Sequence, residues 1–291
     1  MKKLKDPRLL LILSMTVFGT IGLFVRSINL PSGEIALYRA VLASLLLGIY
    51  LLVTKQKIPF KSIKKEIFLL FLSGAAMGVN WILLFEAYKY TTVSVATLSY
   101  YFAPVIVTVA CPIIFKEKMS VKQWICFLMS TVGIVLITGI GDLSAGQSHL
   151  KGIAFGLGAA MFYATVILLN KFIKNVEGIH RTFLQFIAAI AVLLPYVLLT
   201  DGVNLGQLDS KGVICLLVVG LLHTGVTYCF YFSSIKALPG RKAALLSYID
   251  PLVAVIVSVA VLNEKITAVQ IIGGAMILGF TLWSEVEKKN K

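Results

Sequence analysis

Ser247-Tyr-Ile-Asp-Pro251 places a carboxylate, Asp250, beside a helix-breaking proline in an otherwise apolar run that closes at Asn263-Glu-Lys265. A charge at the centre of a bilayer costs about 2.5–3.5 kcal/mol even on the mildest insertion scale. The pattern occurs twice. Ser99-Tyr-Tyr-Phe-Ala-Pro104 is followed by Lys116-Glu-Lys118, and thirteen residues separate Pro104 from Glu117 just as they separate Pro251 from Glu264. The two prolines lie 147 residues apart, so the chain reads as two copies of one unit built around them.

Composition sets the solvent. Of 291 residues, 58% are hydrophobic and 14% charged, against about 25% charged in a soluble domain. So few charges cannot cover a globule, and the class is an all-α polytopic membrane protein. The net charge of +14 is carried by loop lysines rather than by a basic helix interleaved with aromatics, so nucleic acid is not an expected partner. Cys111, Cys126, Cys215 and Cys229 all fall in apolar runs without a CxxC pair, so no disulfide, metal site or cofactor is expected. The basic start resembles a signal peptide, but no small-x-small cleavage pattern follows; the run from Leu9 to Arg26 reads as the first membrane helix.

A bilayer core of about 30 Å needs about 20 apolar residues per helix. Ten runs qualify, at 8–26, 34–54, 66–88, 92–115, 120–139, 151–171, 181–200, 211–233, 241–262 and 266–284. With the N-terminus placed inside, twenty-one Lys and Arg fall in inside segments and five (Arg26, Lys89, Lys151, Lys211, Lys265) in outside ones. That bias predicts a plasma-membrane protein with both termini cytoplasmic.

The repeat extends beyond the prolines. At an offset of 147, Leu98 maps to Leu245, Tyr101 to Tyr248 and Glu117 to Glu264; at 146, Gly74 maps to Gly220 and Arg39 to Gln185. Five helices per copy, an odd number, force the copies into opposite orientations. The charges agree: Lys116 and Lys122 map to Asn263 and Val269, whereas Ser94 and Val95 map to Arg241 and Lys242. The expected organisation is two inverted five-helix repeats, 1–145 and 146–291. In such architectures the binding site lies near the midplane between the repeats.

Ten helices, a five-plus-five duplication and the Pro-then-Glu-Lys pattern together resemble the drug/metabolite transporter superfamily, EamA type. The residues carrying the likeness are Tyr101, Pro104, Glu117 and Lys118, then Ser247, Tyr248, Pro251, Glu264 and Lys265, and Leu37-Tyr-Arg39 is similar to the family's arginine-bearing segment. The resemblance implies a secondary transporter of a small organic metabolite or drug-like solute, commonly a proton-coupled exporter, with some members importers. An importer of a cationic or zwitterionic metabolite is the alternative in the same fold.

Candidate chemistry centres on Asp250. Proline removes a backbone donor and frees a carbonyl near residue 247. A carboxylate in dry surroundings favours its neutral form, which suits picking up a proton on one side and releasing it on the other. Its repeat mate is Ala103, so its presence is not part of the duplicated frame. The other reading is an ion pair with Arg39, Arg241 or Lys242. Arg39 itself either pairs with an acid or recognises a substrate carboxylate. Polar stripes mark a cavity wall: His223, Thr227 and Tyr231 (with Ser234) on the eighth helix, Thr97 and Tyr101 on the fourth, Asn80 and Trp81 on the third, Tyr163 on the sixth. With Ser247, Tyr248, Asp250 and Arg39, these are the expected substrate-binding or coupling residues. Glu86 is expected to pair with Lys89, Glu34 to sit at a helix N-terminus, and Glu117 and Glu264 to orient loops at helix corners next to lysines; Pro104 and Pro251 are structural. The glycines of the fifth and tenth helices read as scaffold. A membrane-embedded enzyme would need a cluster of His and carboxylates; three scattered histidines without HExxH or GxSxG argue against one. Lipid, a small solute and protons are the expected partners.

Overall fold

The computed structural model describes residues 6–58, 63–116, 119–138, 147–176, 178–200, 202–238 and 246–285. Among the described residues there is no strand, and ten apolar helical segments follow one another. They are α1 (Pro7–Val25), α2 (Ser32–Val53), α3 (Ile67–Tyr90), α4 (93–115), α5 (Val121–Thr138), α6 (Gln147–Phe172), α7 (Gly178–Leu199), α8 (210–237), α9 (Ile249–Ala260) and α10 (Ala268–Glu285). Seven are long and apolar enough to cross a membrane alone, and three are shorter apolar helices. Large apolar side chains face outward, with Leu52 79%, Ile113 77% and Leu199 85% exposed. Exposed apolar surface on that scale needs lipid to cover it.

Most boundaries fall within a few residues of those expected. α6 starts a turn early because Ser148 Oγ donates to the Tyr90 carbonyl (3.3 Å) and His149 Nδ1 lies 2.8 Å from Thr91 Oγ1. The ninth run, expected from 241, is described only from 246. Glu117, Arg241, Lys242, Gly139 and the 145/146 boundary lie outside the described residues.

The duplication is visible in the backbone. α4 breaks at Tyr101 and Phe102, ahead of Pro104, and α9 is preceded by a turn at Tyr248, ahead of Pro251. Non-glycine residues seldom adopt positive φ, yet Lys116 (φ 56) and Asn263 (φ 53) both do, 147 residues apart. Lys55 (φ 54) and Gly202 (φ 70) form a second pair at the same spacing. The same corners are thus built twice.

Packing follows the same symmetry. α3 packs on α6 and α7, α8 on α1 and α2, α4 on α6, α9 on α1, and the pairs α2–α7, α4–α9 and α5–α10 pack together. Exchanging each helix for the one five places along maps this set onto itself, and each of these interfaces joins one half to the other. The core is the seam between the halves. Gly74 of α3 lies under Gln185 and Ala188 of α7, and its mate Gly220 lies under Leu42 of α2.

α5 and α10 cross where glycines let the backbones approach. A methyl group on Gly133 would stand 2.7 Å from the Gly273 carbonyl oxygen, and one on Gly273 would stand 2.6 Å from that of Gly133. Gly279 has nothing within 4 Å. Overpacking of this kind costs about 1–3 kcal/mol. Gly133→Val and Gly273→Val should each lower the melting temperature in detergent, and Gly279→Val should leave it near the wild-type value. Equal melting of all three variants would contradict a close-packed α5–α10 seam.

Candidate functional site

A cavity of ≈ 470 Å³ lies on the seam, lined by α1, α2, α3, α4, α6, α7, α8 and α9. α5 and α10 contribute nothing to it. Of the expected site residues, Arg39, Trp81, Thr97, Tyr101, Tyr163, Tyr231, Ser247, Tyr248 and Asp250 line its wall, as does Pro104. The proline breaks explain the convergence of three of them, Tyr101, Tyr248 and Asp250. Each break turns its tyrosine, Tyr101 or Tyr248, and the residue beside the proline toward the middle of the seam.

Asp250 accepts a 2.7 Å hydrogen bond from the Tyr101 hydroxyl. The repeat-mate tyrosine in the other half thus holds the acid. Among the described residues no Lys or Arg pairs with Asp250, so the expected alternative of a pair with Arg39 is not what the structure contains. Gly19 of α1 packs on the backbone here, where a methyl group would stand 2.5 Å from the Asp250 carbonyl oxygen.

Arg39, 4% exposed, is the second charge. Its Nε donates to Thr224 Oγ1 at 2.6 Å, and its guanidinium carbon lies 4.4 Å from the centre of the Trp81 ring. Its mate Gln185 sits in a filled neutral network: Nε2 donates to Ser73 Oγ (2.6 Å) and to Asn170 Oδ1 (2.8 Å). At the matched positions Arg39/Gln185 and Asp250/Ala103 the duplicated frame therefore carries a cation in one half and an anion in the other, each facing a neutral mate.

Three expected residues stand away from the wall. Asn80 Nδ2 donates to the Ala159 carbonyl (2.6 Å), tying α3 to α6. His223 and Thr227 belong to or adjoin a π-helix, Val218–Val226, inside α8. His223 Nδ1, Thr224 Oγ1 and Thr227 Oγ1 each meet the carbonyl five residues back, at 3.2, 2.7 and 2.7 Å. That wider turn shifts the register, so the stripe drawn on an α-helix divides. Tyr231 reaches the cavity together with Tyr228, and His223 is buried against Thr20 (2.9 Å) and the edge of Phe24. Tyr88, Tyr100, Tyr228 and Gln185 also line the wall without having been expected there. Tyr100 and Tyr163 bring their rings within 5.2 Å across α4 and α6.

A second, polar hollow of ≈ 1340 Å³ opens at the lysine-poor end, where Arg26, Glu86, Lys89, Asn204 and Gln207 line it. Tyr88 borders both spaces and forms the partition between them. Arg26 clamps this end. It pairs with Glu264 and donates to the Tyr88 carbonyl (Nε, 2.9 Å) and the Thr91 carbonyl (Nη2, 2.5 Å). Glu264 in turn accepts from the Val93 amide (2.8 Å) and from Ser258 Oγ. The ends of α1, α3, α4 and α9 are thereby fastened together. Glu86 pairs with Lys89 (3.2 Å) and accepts from Ser32 Oγ (2.5 Å). Glu34 at the start of α2 receives the Asn204 amide and side chain (2.9 and 2.6 Å), a loop clamp beyond simple capping. The central cavity extends the other way, to Asn170 in the last turn of α6 and to Arg181 and Thr182 in the first turn of α7. Among the described residues no group of His, Cys, Asp and Glu could hold a metal ion.

Comparison with known proteins gives a concordant picture. The model of a family described as EamA-like transporters matches residues 8–139 and again residues 150–284. An uncharacterized transporter of Bacillus subtilis (strain 168) is 30% identical over 282 residues, covering 97% of this chain and 90% of the relative. An uncharacterized transporter of Archaeoglobus fulgidus is 27% identical over 279 residues, covering 94% and 95%. One solved crystal structure, 14% identical, superposes with a TM-score of 0.65 over 96% of each chain and shares the fold. With the duplicated helix pattern, the seam cavity and a family match to each half, the chain belongs to the EamA-like transporter family of the drug/metabolite transporter superfamily.

Proposed function

We propose that this transporter is a proton-coupled exporter of a small organic solute, working by alternating access between two inverted repeats, residues 1–145 and 146–291. The observation that carries this reading is the seam cavity, which both halves build and which is lined by a carboxylate, Asp250, that no Lys or Arg pairs among the described residues. The lysine-rich end is the cytoplasmic one by the charge rule, with both termini there and the plasma membrane as the site of residence. The cavity then faces the cytoplasm, and the Arg26–Glu264 clamp with Tyr88 closes the outer side.

Asp250 is the coupling group. A carboxylate in a walled-off cavity is costly when charged and unpaired, so solute and proton each alter the balance that holds it. The Tyr101 hydroxyl keeps one of its oxygens oriented in either protonation state. When the seam rocks, the outer clamp must open, because α1, α4 and α9 cannot separate at that end while Arg26 and Glu264 hold them.

Two experiments test the reading. In proteoliposomes Asp250→Asn should lower flux driven by a pH gradient at least tenfold and leave solute exchange at equal pH within about threefold of wild type; undiminished gradient-driven flux would remove Asp250 from coupling. In a background with Cys111, Cys126, Cys215 and Cys229 replaced, Thr97→Cys should resist a membrane-impermeant thiol reagent added outside. Adding Glu264→Gln should make it react at least tenfold faster. Equal reactivity with and without Glu264→Gln would show that the clamp does not gate the cavity.

A further inference from the structure

Arg39 is out of balance with its surroundings. It is buried, yet no acid pairs with it among the described residues. Its one hydrogen bond there is Nε to Thr224 Oγ1. The two terminal nitrogens have no hydrogen-bond partner among the described residues, and the side chain lines the cavity. The guanidinium carbon lies 4.4 Å from the centre of the Trp81 ring and 5.6 Å from that of Phe85, so aromatic rings flank the guanidinium at the cavity wall. Aromatic faces offset only part of the cost of burying a cation. The other half shows what a purely structural residue looks like at the matched position, since Gln185 is neutral and its amide is satisfied by Ser73 and Asn170.

The open edge of a guanidinium offers two parallel N–H donors, the spacing of the two oxygens of a carboxylate. From this we infer that Arg39 is the anion subsite of the transport cavity, and that the solute carries a single carboxylate on a planar, largely apolar body. The cavity is of the size for such a molecule, and Tyr100, Tyr163 and Trp81 give it an aromatic lining. Asp250 lines the same small space, so a second carboxylate beside it meets repulsion; the cavity's other arginine, Arg181, stands in the first turn of α7. The inference rests on the transporter reading for the word solute, but the binding site stands on geometry alone.

Trp81 is a built-in reporter, because it lies on the guanidinium and the other two tryptophans, Trp124 and Trp283, are exposed on the lipid-facing surface. With Trp124→Phe and Trp283→Phe in place, the purified protein is titrated with benzoate, benzamide and benzylammonium, which share a ring and differ in charge. Benzoate should change Trp81 emission with at least tenfold higher apparent affinity than benzamide. Arg39→Gln should reduce it to the benzamide level, and Arg39→Lys should retain part of the preference. Arg39→Gln should also melt at or above the wild-type temperature without ligand, because it removes an unpaired buried charge. Equal affinity for benzoate and benzamide, no response to benzoate up to its solubility, or a benzoate response unchanged in Arg39→Gln would overturn the assignment. A marked fall in melting temperature for Arg39→Gln would instead make Arg39 a structural staple. Flux measurements separate the two readings: Arg39-dependent binding without flux leaves the subsite and removes the transporter function, whereas equal flux of acid and amide does the reverse.

Discussion

A charge at membrane depth persists only where protein walls it off from lipid, and that constraint organises this molecule. Arg39 and Asp250 sit on the seam between the two halves, where the main buried core lies among the described residues. The largest helix interfaces, α3–α6, α5–α10 and α3–α7, each join one half to the other. The apolar exterior faces lipid, and polar side chains at depth turn inward to the cavity or to carbonyls of neighbouring helices, as Asn80 and Gln185 do.

Duplication supplies the frame, and departures from it supply the chemistry. The proline breaks, the left-handed corners at Lys116 and Asn263 and the glycines Gly74 and Gly220 recur in both halves. Arg39 against Gln185 and Asp250 against Ala103 do not. Arg39 and Asp250, opposite in sign and not paired to each other, thus break the symmetry of the cavity. The polar clamp at the lysine-poor end also draws on both halves, since Arg26 comes from the first and Glu264 from the second.

The sequence made the helices, the repeat and most of the wall legible, because hydropathy and spacing record them directly. Tyr101, Tyr248 and Asp250 could be placed together because proline breaks a helix wherever it falls. What hydropathy does not record is register inside a helix. The π-helix of α8 arises from side chains bonding carbonyls five residues back, so a stripe drawn at α-helical spacing assigned His223 and Thr227 to the wall and passed over Tyr228. Tyr88 was missed for another reason: its role as partition depends on two hollows meeting at one ring, which is a property of the assembled bundle. The partner of Glu264 was equally hidden, since Arg26 lies far away in the chain.

The central claim is that one seam cavity opens alternately to the two ends. Spin labels at positions 29 and 265 at the lysine-poor end, and at 174 and 237 at the other end, report the two openings by pulsed distance measurement in lipid. On protonation the account predicts that the two distance distributions shift in opposite directions, one pair separating as the other closes, with the shift absent in Asp250→Asn. Distances that stay fixed, or that lengthen together at both ends, would contradict it.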